Sequence, residues 1–300
     1  MKSITADLSL LSIGFIWGTG FIATHWALES GMPATMTMLF RFSVSAIILG
    51  AFIFRRLKNI SKKDLRMGSV AGFLLFAAFL TQTFGLEYST PSNSAFLTGV
   101  NVVLVPFITW IIFRRRPKIK FFILPLITFV GIVILTYEGQ GAFSLSKGDA
   151  LTLLCAFLFA LHISYLDVAS KKMDTIILTF MQMSAAAVLS LFSFLLLDVN
   201  SLPAINFAVG LPAVLYSGIF CTLITFGLQT VAQQYTTSGK AAIFLSTESL
   251  FGALFSVILG IEPFTYNMLI GGSIILFAIV ASEVRLSDLL RKEKTIICEE

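Results

Sequence analysis

The sequence predicts an all-α, polytopic membrane protein of ten transmembrane helices arranged as two inverted five-helix repeats. Three observations carry that prediction. Hydrophobic residues make up 57% of the 300 positions and charged residues only 12%, where a soluble chain carries about 25% charged residues. Apolar windows of bilayer length recur along the chain, and the basic residues gather in alternate joints between them. A stretch beginning at Gln82 also returns 147 residues later with polar positions intact.

Crossing the hydrocarbon core takes about 20 predominantly apolar residues of helix. Such windows lie near residues 8–28, 34–54, 67–86, 92–113, 119–137, 149–168, 175–197, 208–230, 236–260 and 265–283. The runs are continuous rather than alternating, so they read as helices and not as barrel strands. The joints are rich in turn formers, as in "ESGMPAT", "YSTPSNS", "EGQGAFSLSKGD" and "DVNSLPAINF". The first window lacks the charged start and the Ala-x-Ala site of a cleaved signal peptide, and is read as a retained helix.

A formal charge of +5 would by itself fit a nucleic-acid binder. Its distribution points elsewhere. Of the 21 basic residues, all except Arg41, Lys147 and Lys240 fall at the N-terminus, in the second–third, fourth–fifth and sixth–seventh joints, or after the last window. The positive-inside rule then places both termini in the cytoplasm of a plasma (inner) membrane protein. Lys240, at the start of the ninth window, is expected on the same side. Lys147 lies opposite.

The three cysteines suggest neither a disulfide nor a metal. Cys155 and Cys221 lie inside apolar windows and Cys298 in the charged tail. No metal or cofactor is expected.

The internal repeat is read by laying "QTFGLEYSTPSNSAF" over "QTVAQQYTTSGKAAI". Gln82, Thr83, Tyr88, Thr90 and Ala95 fall on Gln229, Thr230, Tyr235, Thr237 and Ala242. "RFSVSAII" lies over "QMSAAAVL" at a lag of 141. Five windows is an odd number, so the second copy must enter the membrane from the opposite side. Inverted repeats of this kind build secondary transporters, with the site near the midplane where the repeats meet. The expected organisation is one repeat over 1–140, a second over 141–284 and a cytoplasmic tail over 285–300.

Four stretches carry a family resemblance over nearly the whole chain: "GFIWGTGF", "LFRF", "YSTPSNSAFLTGVNVVLVPFITWIIFRRRP" and "AAIFLSTESLFGALFSVILGIEP". On these the chain resembles the EamA-type transporters of the drug/metabolite transporter superfamily. The resemblance implies export of amino acids or related small metabolites. Members commonly carry Pro after the ninth-window Glu, where this chain has Ser249, which puts the kink in question. Small multidrug pumps of the superfamily keep a Glu in the first helix. This chain has none there, so their proton scheme does not transfer.

Ionisable residues inside spans cost roughly 2.5–3.5 kcal/mol at a helix centre on insertion scales and mark functional sites by default. The interior ones are Arg41, His162 and Glu248, with His25 and Asp167 near window ends. Glu248 and Arg41 have similar depth and are candidates to pair. Gly252, Ser256 and Gly260 follow Glu248 at steps of four, a small-residue stripe that turns this face into the bundle. Thr222, Thr225, Gln229 and Gln233 form a second polar line. Asn101 is the repeat counterpart of Glu248, and Pro106 is expected to kink the fourth helix. Gly14 and Gly18 suggest close packing of the first.

Trp17, Arg41, Asn101, Tyr165, Gln229 and Glu248 are the candidate substrate-binding residues. Glu248 and His162 are the candidates for carrying a proton. Arg41 would either neutralise Glu248 or bind a substrate carboxylate. The expected activity is alternating access by rocking the repeats against each other, with small molecule, bilayer, protons and a second copy of the chain as candidate partners. HExxH, GxSxG, a paired intramembrane Asp and a Walker loop are all missing, so an enzyme is not expected. The alternatives are a receptor or scaffold that moves nothing, and an uptake carrier for sugars or other metabolites.

Overall fold

The computed structural model describes residues 3–89, 91–136, 146–200, 205–260 and 263–283. The expected repeat boundary near residue 140 and the tail over 285–300 lie outside the described residues. In chain order the helices are α1 (Ser3–Glu29), α2 (Ala34–Ile53), α3 (Lys62–Leu86), α4 (Pro91–Gly99), α5 (Asn101–Ile111), α6 (Lys120–Thr136) and α7 (Lys147–Ala169). They continue as α8 (Thr175–Leu197), α9 (Phe207–Gly218), α10 (Thr225–Tyr235), α11 (Ser238–Leu245), α12 (Thr247–Ile258) and α13 (Tyr266–Glu283). A π-helical turn, Ile219–Ile224, joins α9 to α10. No strand occurs among the described residues.

Every predicted window coincides with a helix or a broken pair of helices. Among the described residues eight stretches are long and apolar enough to cross a membrane, while Lys120–Leu135 and Tyr266–Ser282 are shorter apolar helices. Helix starts follow the capping residues. Ser61 with Asp64 and Ser146 with Asp149 form capping boxes, and Asp174 accepts hydrogen bonds from the Ile176 and Ile177 amides.

The chain is inside out relative to a soluble protein. Ile47, Phe52 and Leu196 are 70–83% exposed, whereas Gln182, Gln229 and Gln233 are fully buried. Lipid carries no penalty for apolar contact, while a polar side chain must find its partner within the protein.

The two halves interdigitate. α1 packs on α12, α10 and α9; α3 packs on α7 and α8; and α2 packs on α8 and α9. α7 in turn packs on α4 and α5, and α6 packs on α13. The packing is paired: α1 packs on α12 as α7 packs on α4 and α5, and α3 packs on α7 as α1 packs on α9 and α10.

The fourth and ninth spans are each broken near mid-length, at Val100 and at Ser246. At Val100 the ladder tightens to i→i+3 bonds, from the Val100 amide to the Leu97 carbonyl at 3.2 Å and from the Val103 amide to the Val100 carbonyl at 3.1 Å. Pro106, inside α5, has no N–H to bond the Val102 carbonyl. The Ser246 and Thr247 hydroxyls donate to the Ile243 and Phe244 carbonyls at 2.7 Å and compete with the backbone ladder. The interruption there occurs with Ser249, not proline, after Glu248.

Candidate functional site

Glycines set the frame. A Cβ on Gly18 would stand 2.7 Å from the Gly252 amide nitrogen, and a Cβ on Gly14 would collide with Thr247. α1 thus lies backbone to backbone against α12, which carries Glu248. The stripe inferred from Gly252 and Ser256 does face the bundle, since both are buried. Gly260 is exposed in a left-handed turn beyond the helix (φ 70°) and is not part of it.

Between the halves lies a cavity of about 620 Å³, whose lining includes Trp17, Arg41, Asn101, Gln229 and Glu248. Five of the seven candidate residues therefore meet at one place: four binding candidates, and Glu248, a candidate for both roles. Trp17 is held by two bonds from its indole N–H, to the Cys221 carbonyl at 3.0 Å and to the Thr225 hydroxyl at 2.9 Å. It offers the cavity a ring face. Gln229 donates to the Gln233 Oε1 at 3.2 Å, and Gln233 donates in turn to the Ile163 carbonyl at 2.9 Å.

Arg41 and Glu248 do not pair. The guanidinium donates through Nε to the Thr222 hydroxyl at 2.5 Å and through Nη2 to the Cys221 carbonyl at 3.3 Å. It lies 4.1 Å from the centre of the Phe79 ring. The π turn explains this preference. A π turn disturbs the regular carbonyl ladder, and here it presents Cys221 and Thr222 to Arg41 as acceptors. Glu248 is 6% exposed and forms no ion pair among the described residues. The cavity therefore holds a guanidinium and a carboxyl group, neither with an ion-pair partner among the described residues.

Two candidates sit elsewhere. Tyr165 does not line the cavity: its hydroxyl donates to the Met67 carbonyl at 3.1 Å and its ring leans on Phe113. Phe159 and Ile163 are the α7 residues that face the cavity, and Tyr165 follows Ile163 by about 200° of helical turn. His162 is fully buried behind the wall, its Nε2 2.9 Å from the Gln182 Oε1. Gln182 donates onward to Thr230.

Sequence reasoning missed Phe21, Phe79, Gln82, Thr98 and Phe159, all of which line the cavity. The repeat lag could have found two of them. Gln82 is the counterpart of Gln229, and Thr98 that of Leu245, which also lines the cavity. Aromatic residues carried no such signal among 30 phenylalanines. Phe79 makes edge contacts with Phe42, Phe159 and Phe226, and Phe226 leans on Trp17, so the wall is one connected aromatic set.

The cavity lies toward one end of the bundle. On α1 it is lined from Trp17 to Thr24 and on α3 from Phe79 to Leu86, the ends remote from the basic joints. The basic end is tied together across helices. There Lys240 binds Asp7 at 2.9 Å across the first and ninth spans, and Lys171 binds both Asp167 and the Thr236 carbonyl. Thr109 links Ser164 and Ser238 at 3.0 and 2.9 Å. No cluster of three potential metal ligands occurs among the described residues.

The EamA-like transporter family model matches residues 4–137 and again 146–282. An "uncharacterized transporter" of Archaeoglobus fulgidus is 30% identical over 95% of this chain and 88% of its own length. The "uncharacterized transporter YetK" of Bacillus subtilis is 24% identical with the same coverages. A protein of known crystal structure matches with a TM-score of 0.73 at 18% identity, over 94% of this chain and 97% of its own, and so shares its fold. A family match over both halves, joined to a cavity between them, makes this chain a multi-pass membrane transporter belonging to the EamA-like transporter family.

Proposed function

We propose that the chain is a secondary transporter that exports amino acids or related small metabolites by alternating access. The observation that carries the reading is the pair Arg41 and Glu248. A guanidinium and a carboxyl group face one cavity there and do not pair with each other. A dipolar solute offers Arg41 a carboxylate and Glu248 an ammonium group, and the aromatic wall takes an apolar side chain.

The architecture proposed is ten spans in two inverted repeats, with α6 and α13 completing the count and both termini in the cytoplasm. The coupled contacts between halves, the twin breaks at Val100 and Ser246 and the double family match support it. In that orientation the cavity faces outward and the Asp7–Lys240 end is the closed cytoplasmic side. Transport then requires this seal to open as the outer end closes. Glu248 is the proposed proton carrier. His162, tied to Gln182 behind the wall, is a weaker candidate.

The test is flux. Purified protein in proteoliposomes is loaded with a radiolabelled amino-acid and metabolite panel, with and without an imposed proton gradient. The reading expects saturable movement of at least one dipolar solute, lost in Glu248→Gln. No movement of any solute by folded protein would overturn it. Gradient-independent flux would remove the proton role alone.

A further inference from the structure

A second site lies outside the bundle. An apolar groove runs along the α6–α13 pair, lined by Ile123, Leu126, Ile127 and Val130 on one side and Ile274 and Phe277 on the other. The four α6 residues recur at steps of three, one and three, which places them on one helix face. Ile123, Leu126 and Val130 are about half exposed and Phe277 is 61% exposed. The helices cannot close this groove by moving together. A Cβ on Gly131 would already stand 2.9 Å from the Gly271 carbonyl oxygen, and Lys120 donates to the Ser282 carbonyl at 2.6 Å at the other end.

Just before α6 the chain carries Arg114, Arg115, Arg116 and Lys118. All four are exposed, and none forms an ion pair among the described residues. The loop is shaped rather than trailing. Arg114 takes a left-handed backbone (φ 53°), which is rare for a residue with a Cβ. The Arg115 amide bonds the Thr109 carbonyl at 3.1 Å, and the Arg116 guanidinium lies 5.4 Å from the Trp110 ring. These contacts hold the cations beside a half-exposed Trp, at the level where aromatic residues meet lipid headgroups. Ile123 stands one turn and a residue beyond Lys118. The basic loop and the foot of the groove are therefore adjacent.

We propose that groove and loop form one binding site for an anionic phospholipid. An acyl chain occupies the groove and the phosphate sits among Arg114, Arg115, Arg116 and Lys118. Apolar surface takes the chain without regard to headgroup, while the four unpaired cations select for negative charge. The site rests on the proposed orientation only for the leaflet that supplies the lipid; binding in detergent does not depend on it.

The full-length protein, delipidated in detergent, is titrated with phosphatidylglycerol or phosphatidylcholine, and bound lipids are counted by native mass spectrometry. At least tenfold tighter binding of phosphatidylglycerol is expected. The R114Q/R115Q/R116Q/K118Q variant should lose the preference and keep phosphatidylcholine binding. Ile127→Trp, which fills the groove, should weaken both lipids. Added salt should weaken only phosphatidylglycerol on the unsubstituted protein, a decision that needs no variant. Equal affinity for the two lipids, or a preference that survives neutralisation of the loop, overturns the proposal. So does a preference that emerges only after removal of residues 284–300, because that segment would then be the occupant.

Discussion

Gly18 and Gly252 bring the first and ninth spans into main-chain contact, so that a Cβ on Gly18 would meet the Gly252 nitrogen at 2.7 Å and the Phe251 carbonyl carbon at 2.8 Å. Neither atom belongs to a side chain that can swing away. Overpacking of this kind costs about 1–3 kcal/mol. Gly18→Val is expected to lower the thermal midpoint of the purified protein and its transport, with Gly18→Ala between it and the parent. Gly227, with nothing within 4 Å of its Cβ position, is the control. Gly227→Ala should leave the midpoint unchanged or raise it, since Gly is about 1 kcal/mol worse than Ala in a helix.

Arg41 and Glu248 serve the cavity separately, so their substitutions should not rescue each other. Arg41→Gln and Glu248→Gln should each reduce flux at least tenfold, and the double variant should be no better than either. The charge exchange R41E/E248R should also be inactive. Recovery in the exchanged protein would show that the two form a pair during transport.

Thr222 holds the Arg41 guanidinium at 2.5 Å. Thr222→Val keeps the shape and removes the acceptor. The buried cation then lacks one partner, a loss worth about 1.5–3 kcal/mol for a hydrogen bond to a charged group. Weaker substrate affinity at near-normal protein yield is expected from an isotope-binding assay. Unchanged affinity would detach Thr222 from the site.

Asp7 and Lys240 tie α1 to α11 at the basic end and are 8% and 14% exposed at the side chain. Lys240→Gln leaves a nearly buried carboxylate without its cation, so the sealed state should lose population. In a background with the native cysteines replaced, maleimide should label Ser238→Cys faster when Lys240→Gln is present. Equal labelling rates would mean that the ion pair does not hold the seal.

The N-terminus of α3 should loosen in acid. The Ser61 hydroxyl, and then the Ser61 backbone, hydrogen-bond the Asp64 carboxyl and hold it below the usual Asp range. A carboxyl lowered in the folded state stabilises above its unfolded value, about 3.9, and that stabilisation is lost as pH falls through the lower folded value. Hydrogen exchange in the first turn of α3 should quicken relative to the rest of the helix below about pH 4. Asp64→Asn should abolish the pH step.

Much of the fold was legible because lipid imposes a simple rule: a spanning segment must be helical and apolar along its length. Composition and window length therefore located the helical segments though not the interruptions within three of them, and the repeat lag aligned Asn101 with Glu248, both of which line the cavity. Helical spacing alone could not say which face of a helix meets which neighbour. Tyr165 was assigned to the cavity on its residue type, yet packs two residues around the helix from Ile163. Arg41 and Glu248 were matched on depth, a coordinate along the membrane normal that carries no information about lateral position.

By itself, then, the sequence determined the class, the apolar windows, the clustering of basic residues in alternate joints and the presence of isolated ionisable residues among apolar helices. Those follow from transfer energies that each segment carries alone. Only the tertiary structure decided the partners. A π turn in the eighth span presents Cys221 and Thr222 to Arg41, and Gly18 admits the ninth span close enough to set Glu248 at the cavity. Both depend on contacts between segments about 180 to 230 residues apart, where hydrogen-bond direction and close packing, rather than hydropathy, select the arrangement.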